Sequence, residues 1–267
     1  MLQSLLAITW SVDPEIFTIG SFSPRYYGLF FAGGFFLGYM IVRKQFLSEK
    51  KPEAWLDSLL IHLIIGTVVG ARLGHVIFYN PGYYLENPLE IFMTWKGGLA
   101  SHGGTLGVFL ALILWSRKVS KKPFLWIADR LTVPVALVSC FIRLGNLMNH
   151  EIIGNETDVP WAFIFTLRDN VPRHPAQLYE ALAYLGTFFL CWYLYWKTDA
   201  KKKEGFLFGL FMVCIFGARF IIEYVKVEQA DFQANFLDIL TLGQWLSIPF
   251  VLLGVFCMWR SQKHISE

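Results

Sequence analysis

Apolar residues fall into seven long runs, separated by connections rich in charge, glycine and proline. A helix needs about 20 mostly apolar residues to cross the hydrocarbon core of a bilayer, which is roughly 30 Å thick. The pattern therefore predicts an all-α, polytopic membrane protein with about seven transmembrane helices. The predicted spans are residues 26–46, 55–78, 97–116, 124–147, 178–196, 205–225 and 240–259. We expect residues 1–267 to form a single membrane-embedded domain.

Composition supports the membrane assignment. Of the 267 residues, 55% are hydrophobic and 16% are charged, whereas a soluble domain carries about 25% charged residues. A net charge of +3 is too small to indicate a nucleic acid partner. The cysteines all lie within apolar runs and form no CxxC pair: Cys140, Cys191, Cys214 and Cys257. We interpret them as packing residues, and a nucleophilic role for Cys140 is the alternative.

Lysine and arginine are unevenly divided between the connections. The connections after the first, third and fifth spans, together with the C-terminal segment, hold 14 of them, and the other connections hold five. Because positive charge collects on the cytoplasmic side, this asymmetry predicts an N-terminus outside and a C-terminus in the cytoplasm. Residues 1–25 then form an interfacial arm, without the basic leader of a cleaved signal peptide. Residues 148–177 form the main outer loop.

If the N-terminus lies outside, most polar groups of the spans lie in the outer half of the membrane. A charged side chain at a helix centre costs about 2.5–3.5 kcal/mol on insertion scales, so such groups indicate function. The polar residues at this depth are Arg72, His75, His102, Arg143, Asn146, Arg219 and Glu223. Their shared depth predicts a polar site that opens toward the outer leaflet. Asp129 and Arg130, at the inner end of the fourth span, are interpreted as a local interfacial pair.

The fourth span leads into a dense group of polar residues: Arg143, Asn146, Glu151 and Gly154. Two arginines from different helices, Arg143 and Arg219, suit a phosphate, because a guanidinium presents paired donors and stays charged. Arg219 and Glu223 are four residues apart and therefore share a helix face. Glu223 either forms a simple salt bridge with Arg219 or holds it in place to meet an anionic head group.

Glycines recur at helical spacing on two spans: Gly66, Gly70 and Gly74 on the second, Gly103 and Gly107 on the third. Such faces allow two helix backbones to approach closely. The alternative is that they leave room for a lipid chain.

His102 precedes Gly103 and Gly104 at the outer end of the third span. A histidine at the end of a span often only reaches toward the interface, but the flanking glycines and the shared depth favour a place in the site. Tyr26 begins the first span, where tyrosine is also an ordinary interfacial residue. Both interpretations of Tyr26 stay open on residue type alone.

Together, these motifs resemble the bacterial prolipoprotein diacylglyceryl transferase family over nearly the whole chain. The resemblance is carried by residues 26–29, 70–74, 102–104, 143–146 with Glu151 and Gly154, 173–180, Arg219 with Glu223, and 243–244. Three positions depart from the family pattern. Ile142 and His150 stand where glycine is usual, and Ile215 stands where a tyrosine is frequent.

The resemblance implies transfer of an sn-1,2-diacylglyceryl group from phosphatidylglycerol to the thiol of the lipobox cysteine in a lipoprotein precursor. Glycerol 1-phosphate would be the second product. The family fold is a seven-helix membrane body with a small outward-facing head built from loops. The implied location is the bacterial cytoplasmic (inner) membrane, with the active site facing the outer leaflet or periplasm. The expected partners are phosphatidylglycerol, prolipoprotein signal peptides and the lipid bilayer. No nucleic acid, metal or cofactor is expected.

The resemblance also assigns roles to single residues. The predicted catalytic residues are His102, Arg219, Glu223 and Tyr26. The predicted substrate-binding residues are Arg143, Asn146, Glu151, Gly154, Arg72, Gly103 and Gly104. A thiol with a pKa of about 8.5 is mostly protonated at neutral pH, so the reaction needs help to form the thiolate. His102, Tyr26 and an arginine-polarised water stay open as the proton acceptor.

The alternative function is an anionic-lipid transporter or flippase, in which the same arginines bind substrate without chemistry. Transporters of this kind often contain inverted repeats, with polar groups that continue toward the inner face. The sequence shows neither feature, which favours the transferase.

Overall fold

A computed structural model describes residues 7–20, 22–227 and 240–263. Within these ranges the chain forms eight α-helices. Their bounds are α1 Tyr26–Ser48, α2 Ala54–Phe78, α3 Pro81–Glu86, α4 Ser101–Trp115, α5 Phe124–Met148, α6 Ala176–Lys197, α7 Phe206–Ile222 and α8 Leu242–Lys263. Seven of them occupy the seven predicted apolar runs, and the short α3 lies in the connection after the second run.

Four helical segments in the described part of the chain are long and apolar enough to cross a membrane: Ala54–Phe78, Phe124–Met148, Phe206–Val225 and Leu242–Gln262. They support a multi-pass membrane protein. The helix α4 has 15 residues and is therefore about 22 Å long at 1.5 Å per residue, although a π-helical turn, Ser116–Ser120, extends it. A total of seven crossings and an outer N-terminus stay predictions.

The all-α prediction is incomplete, because the chain also forms a small sheet. Its strands are β1 Ile8–Trp10, β2 Phe163–Phe165 and β3 Pro172–Arg173. Strand β1 pairs with β2 in parallel, and β2 pairs with β3 antiparallel. The sheet joins the predicted N-terminal arm to the predicted outer loop. Strands of two or three residues are too short to show an alternation of apolar and polar residues, so the sequence does not predict them. Residues 1–6 of the arm lie outside the described residues.

The fold divides into two compact units, Val42–Ile127 and Met1–Ile41 with Ala128–Glu267. The prediction of one domain over residues 1–267 stays a prediction.

In the unit Val42–Ile127, α2 and α4 pack through their glycines. A Cβ on Gly70 would lie 2.7 Å from the Cα of Gly107, and a Cβ on Gly74 would lie 2.7 Å from the Cα of Gly103. These are backbone contacts that no larger residue permits, so the packing interpretation of the glycine faces is confirmed. An apolar groove of about 620 Å³ follows the same two helices. Its occupation by a lipid chain stays a prediction.

In the other unit, α5, α6 and α7 surround an apolar core. Val133, Tyr195 and Leu207 are completely buried there, together with Cys191. Cys140 packs in a neighbouring cluster, consistent with a packing role for both cysteines.

The interpretation of Asp129 and Arg130 as a local pair is incomplete. Asp129 is fully buried on α5, and its carboxylate accepts hydrogen bonds from the backbone N–H groups of Gly205 at 2.7 Å and Phe208 at 2.8 Å. These amides belong to the N-terminus of α7, where the helix dipole also favours a negative charge. Asp129 therefore caps α7, a long-range contact that the sequence does not reveal.

Candidate active site

Three of the predicted substrate-binding residues form one hydrogen-bonded group at the end of α5. The Nη1 of Arg143 donates to the Oδ1 of Asn146 at 3.3 Å. The Nδ2 of Asn146 donates to the Oε2 of Glu151 at 3.1 Å. Arg143 and Asn146 meet because they lie one helical turn apart, and the chain turns back where the N–H of Glu151 donates to the carbonyl of Asn146. Protein groups fix the guanidinium of Arg143, and its side chain as a whole is 19% exposed.

Glu180 on α6 is the main site residue that sequence reasoning missed. Its side chain is fully buried and lies 2.9 Å from the Nε of Arg143. It also accepts a hydrogen bond from the Nζ of Lys226 at 3.1 Å. Glu180 belongs to one of the motifs that carry the family resemblance, and a carboxylate near the start of an apolar run is costly enough to be a signal. Its two cationic partners become visible only in the folded chain.

Lys226 extends this group to Glu223, with 3.6 Å between Nζ and the carboxylate. Glu223 was expected to pair with Arg219, but the described part of the chain contains no ion pair between them. The N–H of Glu223 still donates to the carbonyl of Arg219, as in an α-helix, so the carboxylate contacts Lys226 although the spacing of four is kept. Within the described residues, the buried Nε of Arg219 has no hydrogen-bond partner.

Gly154 is required by the packing of the outer loop. Its N–H donates to the carbonyl of His174 at 2.8 Å. A Cβ at this position would lie 2.6 Å from the carbonyl oxygens of His174 and Val225. Only glycine permits this approach between the loop and the end of α7. Its predicted contact with substrate stays a prediction.

The remaining predicted site residues of the unit Val42–Ile127 have distinct surroundings. His102 is exposed in the first turn of α4. Gly103 is buried against α2, whereas a Cβ on Gly104 would make only an ordinary contact of 3.5 Å with Ala71. Arg72 is buried, and its guanidinium donates to backbone carbonyls of the connection that precedes α4.

Tyr26 belongs to the other unit and is the first residue of α1. It is half-buried, and its backbone N–H donates to the carbonyl of Pro14 at 3.1 Å. This contact ties the arm to the helix. It leaves the predicted role of the Tyr26 hydroxyl a prediction.

Charged groups of the outer loop fix its shape. Arg173 contacts the carboxylate of Asp169 through Nε at 2.9 Å and Nη2 at 2.8 Å. The Arg173 guanidinium holds the pKa of Asp169 below its usual range. Burial lowers the pKa of the neighbouring His174. The Nδ1 of His174 lies 3.1 Å from the hydroxyl of Tyr179, which accepts a hydrogen bond from the Nε1 of Trp161.

A family model described as prolipoprotein diacylglyceryl transferase matches residues 14–260. The chain belongs to this family. It is 50% identical to the phosphatidylglycerol–prolipoprotein diacylglyceryl transferase of Tolumonas auensis over 254 residues, covering 95% of this chain and 97% of the relative. It is 48% identical to the protein of that name from Porphyromonas gingivalis, covering 96% and 95%. It is 47% identical to the one from Chloroherpeton thalassium, again covering 96% and 95%.

Membership of the prolipoprotein diacylglyceryl transferase family makes the protein a transferase of lipoprotein biosynthesis, and the structure shows the surroundings of two residues that depart from the family pattern. His150, in place of a usual glycine, has a φ of +53°, in the left-handed region that favours glycine. Its ring is fully buried, and the Nε2 lies 2.9 Å from the carbonyl of Val12. Ile215, in place of a frequent tyrosine, is buried beside Cys140 and Tyr184. Nothing in the structure explains Ile142.

Proposed function

We propose that this protein transfers the sn-1,2-diacylglyceryl group of phosphatidylglycerol to the thiol of a lipobox cysteine in prolipoproteins. The thiolate sulfur attacks the glyceryl carbon that carries the phosphate, so a C–S bond forms and the C–O bond to phosphate breaks. The phosphate oxygen keeps the bonding electron pair, and glycerol 1-phosphate leaves. The names of the relatives support both substrates.

The observation that carries this proposal is the Arg143 guanidinium. It is oriented by Glu180 and Asn146, and the Arg143 side chain stays partly exposed. A guanidinium held in this way is suited to an oxygen that gains charge as the C–O bond breaks, because it needs no reorganisation during the reaction. Arg219 is proposed as the second phosphate ligand, and its buried Nε, which has no hydrogen-bond partner among the described residues, supports that role.

The other predicted residues complete the proposal. Asn146 and Glu151 orient Arg143, and Gly154 shapes the loop beside them. Glu223 acts through the charge of Lys226. His102 accepts the thiol proton, for which its exposure at the start of α4 is favourable, and Tyr26 is the next candidate. Gly103 and Gly104 allow close approach around His102. We expect no metal or cofactor to take part.

The test is incubation of the purified protein with phosphatidylglycerol and a lipobox peptide, followed by mass spectrometry. We expect a diacylglyceryl thioether on the cysteine and an equal amount of glycerol 1-phosphate. A peptide with serine in place of the lipobox cysteine is the control and should stay unmodified. Lipid movement across vesicles without any thioether would support the transporter alternative instead.

The variant Arg143→Lys tests the phosphate ligand. A lysine keeps the charge but presents it at one nitrogen, so it cannot contact Glu180, Asn146 and a phosphate together. We expect turnover to fall by about 100-fold, comparable to the loss of one charge-stabilising group. Normal turnover in both Arg143→Lys and Arg219→Lys would exclude the proposed phosphate contacts.

The proposed topology has seven spans, the N-terminus outside, and a site that faces the periplasm across the bacterial inner membrane. Cysteines introduced between residues 151 and 173 should react with an impermeant reagent from outside. Cysteines at Lys201, Lys202 or Lys203 should not react. A reporter at Glu267, which lies outside the described residues, should be cytoplasmic. The opposite labelling pattern would reverse the placement of the site.

A further inference from the structure

The guanidinium of Arg72 is occupied by the backbone of its own unit. Its Nε donates to the carbonyl of Ile91 at 2.8 Å, and its Nη1 donates to those of Gly97 at 2.6 Å and Gly98 at 3.1 Å. Its Nη2 donates to the carbonyl of Glu90. The residue is only 4% exposed. The positive charge is therefore compensated by four carbonyl dipoles, as burial of a guanidinium requires.

This arrangement does not suit a ligand of the lipid phosphate. A guanidinium has five N–H donors, and the four carbonyls already engage all three of its nitrogens. The ring of Tyr84 lies 5.0 Å from the guanidinium carbon. A phosphate would have to replace carbonyls that then lose their own partners, which costs free energy in a buried place.

Two of the carbonyls that Arg72 holds, those of Gly97 and Gly98, lie shortly before α4. Gly97 and Gly98 have φ values of +86° and +72°, so the chain turns there through conformations that favour glycine. The N–H of Ala100 then donates to the carbonyl of Ala71 at 2.9 Å. The helix begins at the next residue, and its second residue is His102. Arg72 and Ala71 on α2 thus determine the path of the chain up to His102.

Gly98 belongs to the turn that the Arg72 guanidinium contacts. A Cβ there would be 2.7 Å from the Nη1 of Arg72 and 2.8 Å from the Nε2 of His75. A side chain at residue 98 would therefore displace the guanidinium from its carbonyls. Substitutions at Arg72 and at Gly98 disturb the same turn from opposite sides.

We propose that Arg72 is a positioning residue, which holds the turn at Gly97 and Gly98 and thereby sets the place of His102. This inference rests on the proposed function, because it assigns His102 to proton acceptance. Lysine cannot replace Arg72, since a single ammonium cannot reach carbonyls on both sides of the turn.

The experiment measures turnover and the KM for phosphatidylglycerol in the full-length protein. The variants are Arg72→Lys and Gly98→Ala, each made once in the wild-type protein and once in a His102→Gln background. Arg72→Lys and Gly98→Ala should each lower kcat by about tenfold or more, because small displacements of a reacting group are costly. KM should change by less than about twofold. Gly82→Ala is the matched control, because a Cβ there meets open space, and it should behave as the wild type.

The His102→Gln background decides whether Arg72 acts through His102. Mutations that disturb one shared element are not additive, so Arg72→Lys should cause little further loss there. If Arg72 binds the lipid instead, its loss should raise KM in both backgrounds. A general loss of folding should lower kcat equally in both backgrounds and lower the melting temperature. Either result would overturn the positioning role, as would full activity of His102→Gln.

Hydrogen exchange separates this inference from the proposed reaction. Backbone amides of residues 99–104 should exchange at least about tenfold faster in Arg72→Lys, because the turn opens locally, while amides of α8 stay unchanged. Unchanged exchange at 99–104 would refute the inference even if the transferase reaction is confirmed. If these amides exchange faster in Arg72→Lys but the wild-type protein forms no thioether, the role of Arg72 in holding the turn is supported. The proposed reaction is then refuted.

Discussion

The helix pair α2–α4 and the group formed by α5, α6 and the end of α7 each contain a buried charge, and they compensate it in different ways. In the pair, glycines bring two backbones into contact, and the buried Arg72 is compensated by carbonyl groups. In the group, the buried Glu180 is compensated by the side chains of Arg143 and Lys226. The first arrangement tolerates almost no added volume, whereas the second tolerates almost no change of charge. Arg143 is the partly exposed member of this group, and it is the residue proposed to contact the lipid phosphate.

The largest effect should come from Glu180→Ala. It leaves Arg143 and Lys226 without their shared counter-charge, and breaking a buried ion pair costs about 3–5 kcal/mol. We expect a lower melting temperature in detergent and loss of turnover. Glu156→Gln is the matched control, because that carboxylate is 68% exposed and 3.6 Å from Arg173. Its loss should cost less than about 1 kcal/mol. Equal effects at both positions would contradict the importance of burial.

Gly107→Ala tests the backbone contact of the helix pair. The new Cβ would lie 2.9 Å from the Cα of Gly70 and against the carbonyl oxygen of Gly66. We expect destabilisation by about 1–3 kcal/mol, the usual range for added core volume. The control is Gly186→Ala on α6, where a Cβ meets open space. A helical Ala is favoured over Gly, so this variant should be as stable as the wild type or more stable. Thermal unfolding of both variants measures the difference.

His150 allows backbone strain and side-chain contact to be separated. His150→Ala keeps the φ of +53° and loses the bond to Val12, whereas His150→Gly loses the same bond but relieves the strain. A left-handed conformation costs a non-glycine residue roughly 1–2 kcal/mol. We therefore expect His150→Gly to be more stable than His150→Ala by about 1 kcal/mol. The reverse order in thermal unfolding would mean that the turn does not keep its conformation.

The smallest effect concerns Glu90, whose backbone carbonyl is one of those that Arg72 holds. A hydrogen bond from Lys96 and a second from Tyr83 hold the pKa of its carboxyl below the ordinary value of 4.5. Because the folded pKa is depressed, these bonds stabilise the connection above pH 4.5, and the stabilisation is lost as the pH falls through the folded value. A carbon NMR titration should place the Glu90 midpoint below 4.5, and Lys96→Met should raise it. An unchanged midpoint would show that Lys96 contributes little.

Much of the fold follows from local pattern, and the exceptions share one cause. Seven apolar runs correspond to seven long helices, because the length and hydropathy of a run are local properties. The α4 helix starts at Ser101, not at residue 97, because Gly97 and Gly98 adopt positive φ. The hydropathy pattern did not predict the three-stranded sheet, because its strands are short and β1 lies far from β2 in the chain. Pairing between distant segments leaves no periodicity in either of them.

The candidate site divides in the same way. The order of Arg143, Asn146 and Glu151 along the chain predicts their grouping, which the hydrogen bonds confirm. The spacing of Arg219 and Glu223 suggests an ion pair, but within the described residues the carboxylate of Glu223 contacts Lys226 instead. Glu180 lies about 40 residues from both of its partners in the chain, so no spacing rule could assign them.

By itself, the sequence determined the helical membrane architecture and the family, and it predicted most of the polar residues of the candidate site. These follow from hydropathy, charge and motif order, which are properties of short segments. The tertiary structure alone decided that Glu180 orients Arg143, that Asp129 caps α7, and that the guanidinium of Arg72 is held by carbonyls. The physical reason is that a buried charge is stabilised by whichever dipoles and counter-charges the fold brings within about 3 Å of it. Which partners a buried charge meets depends on how distant segments pack, and no single segment of the sequence carries that information.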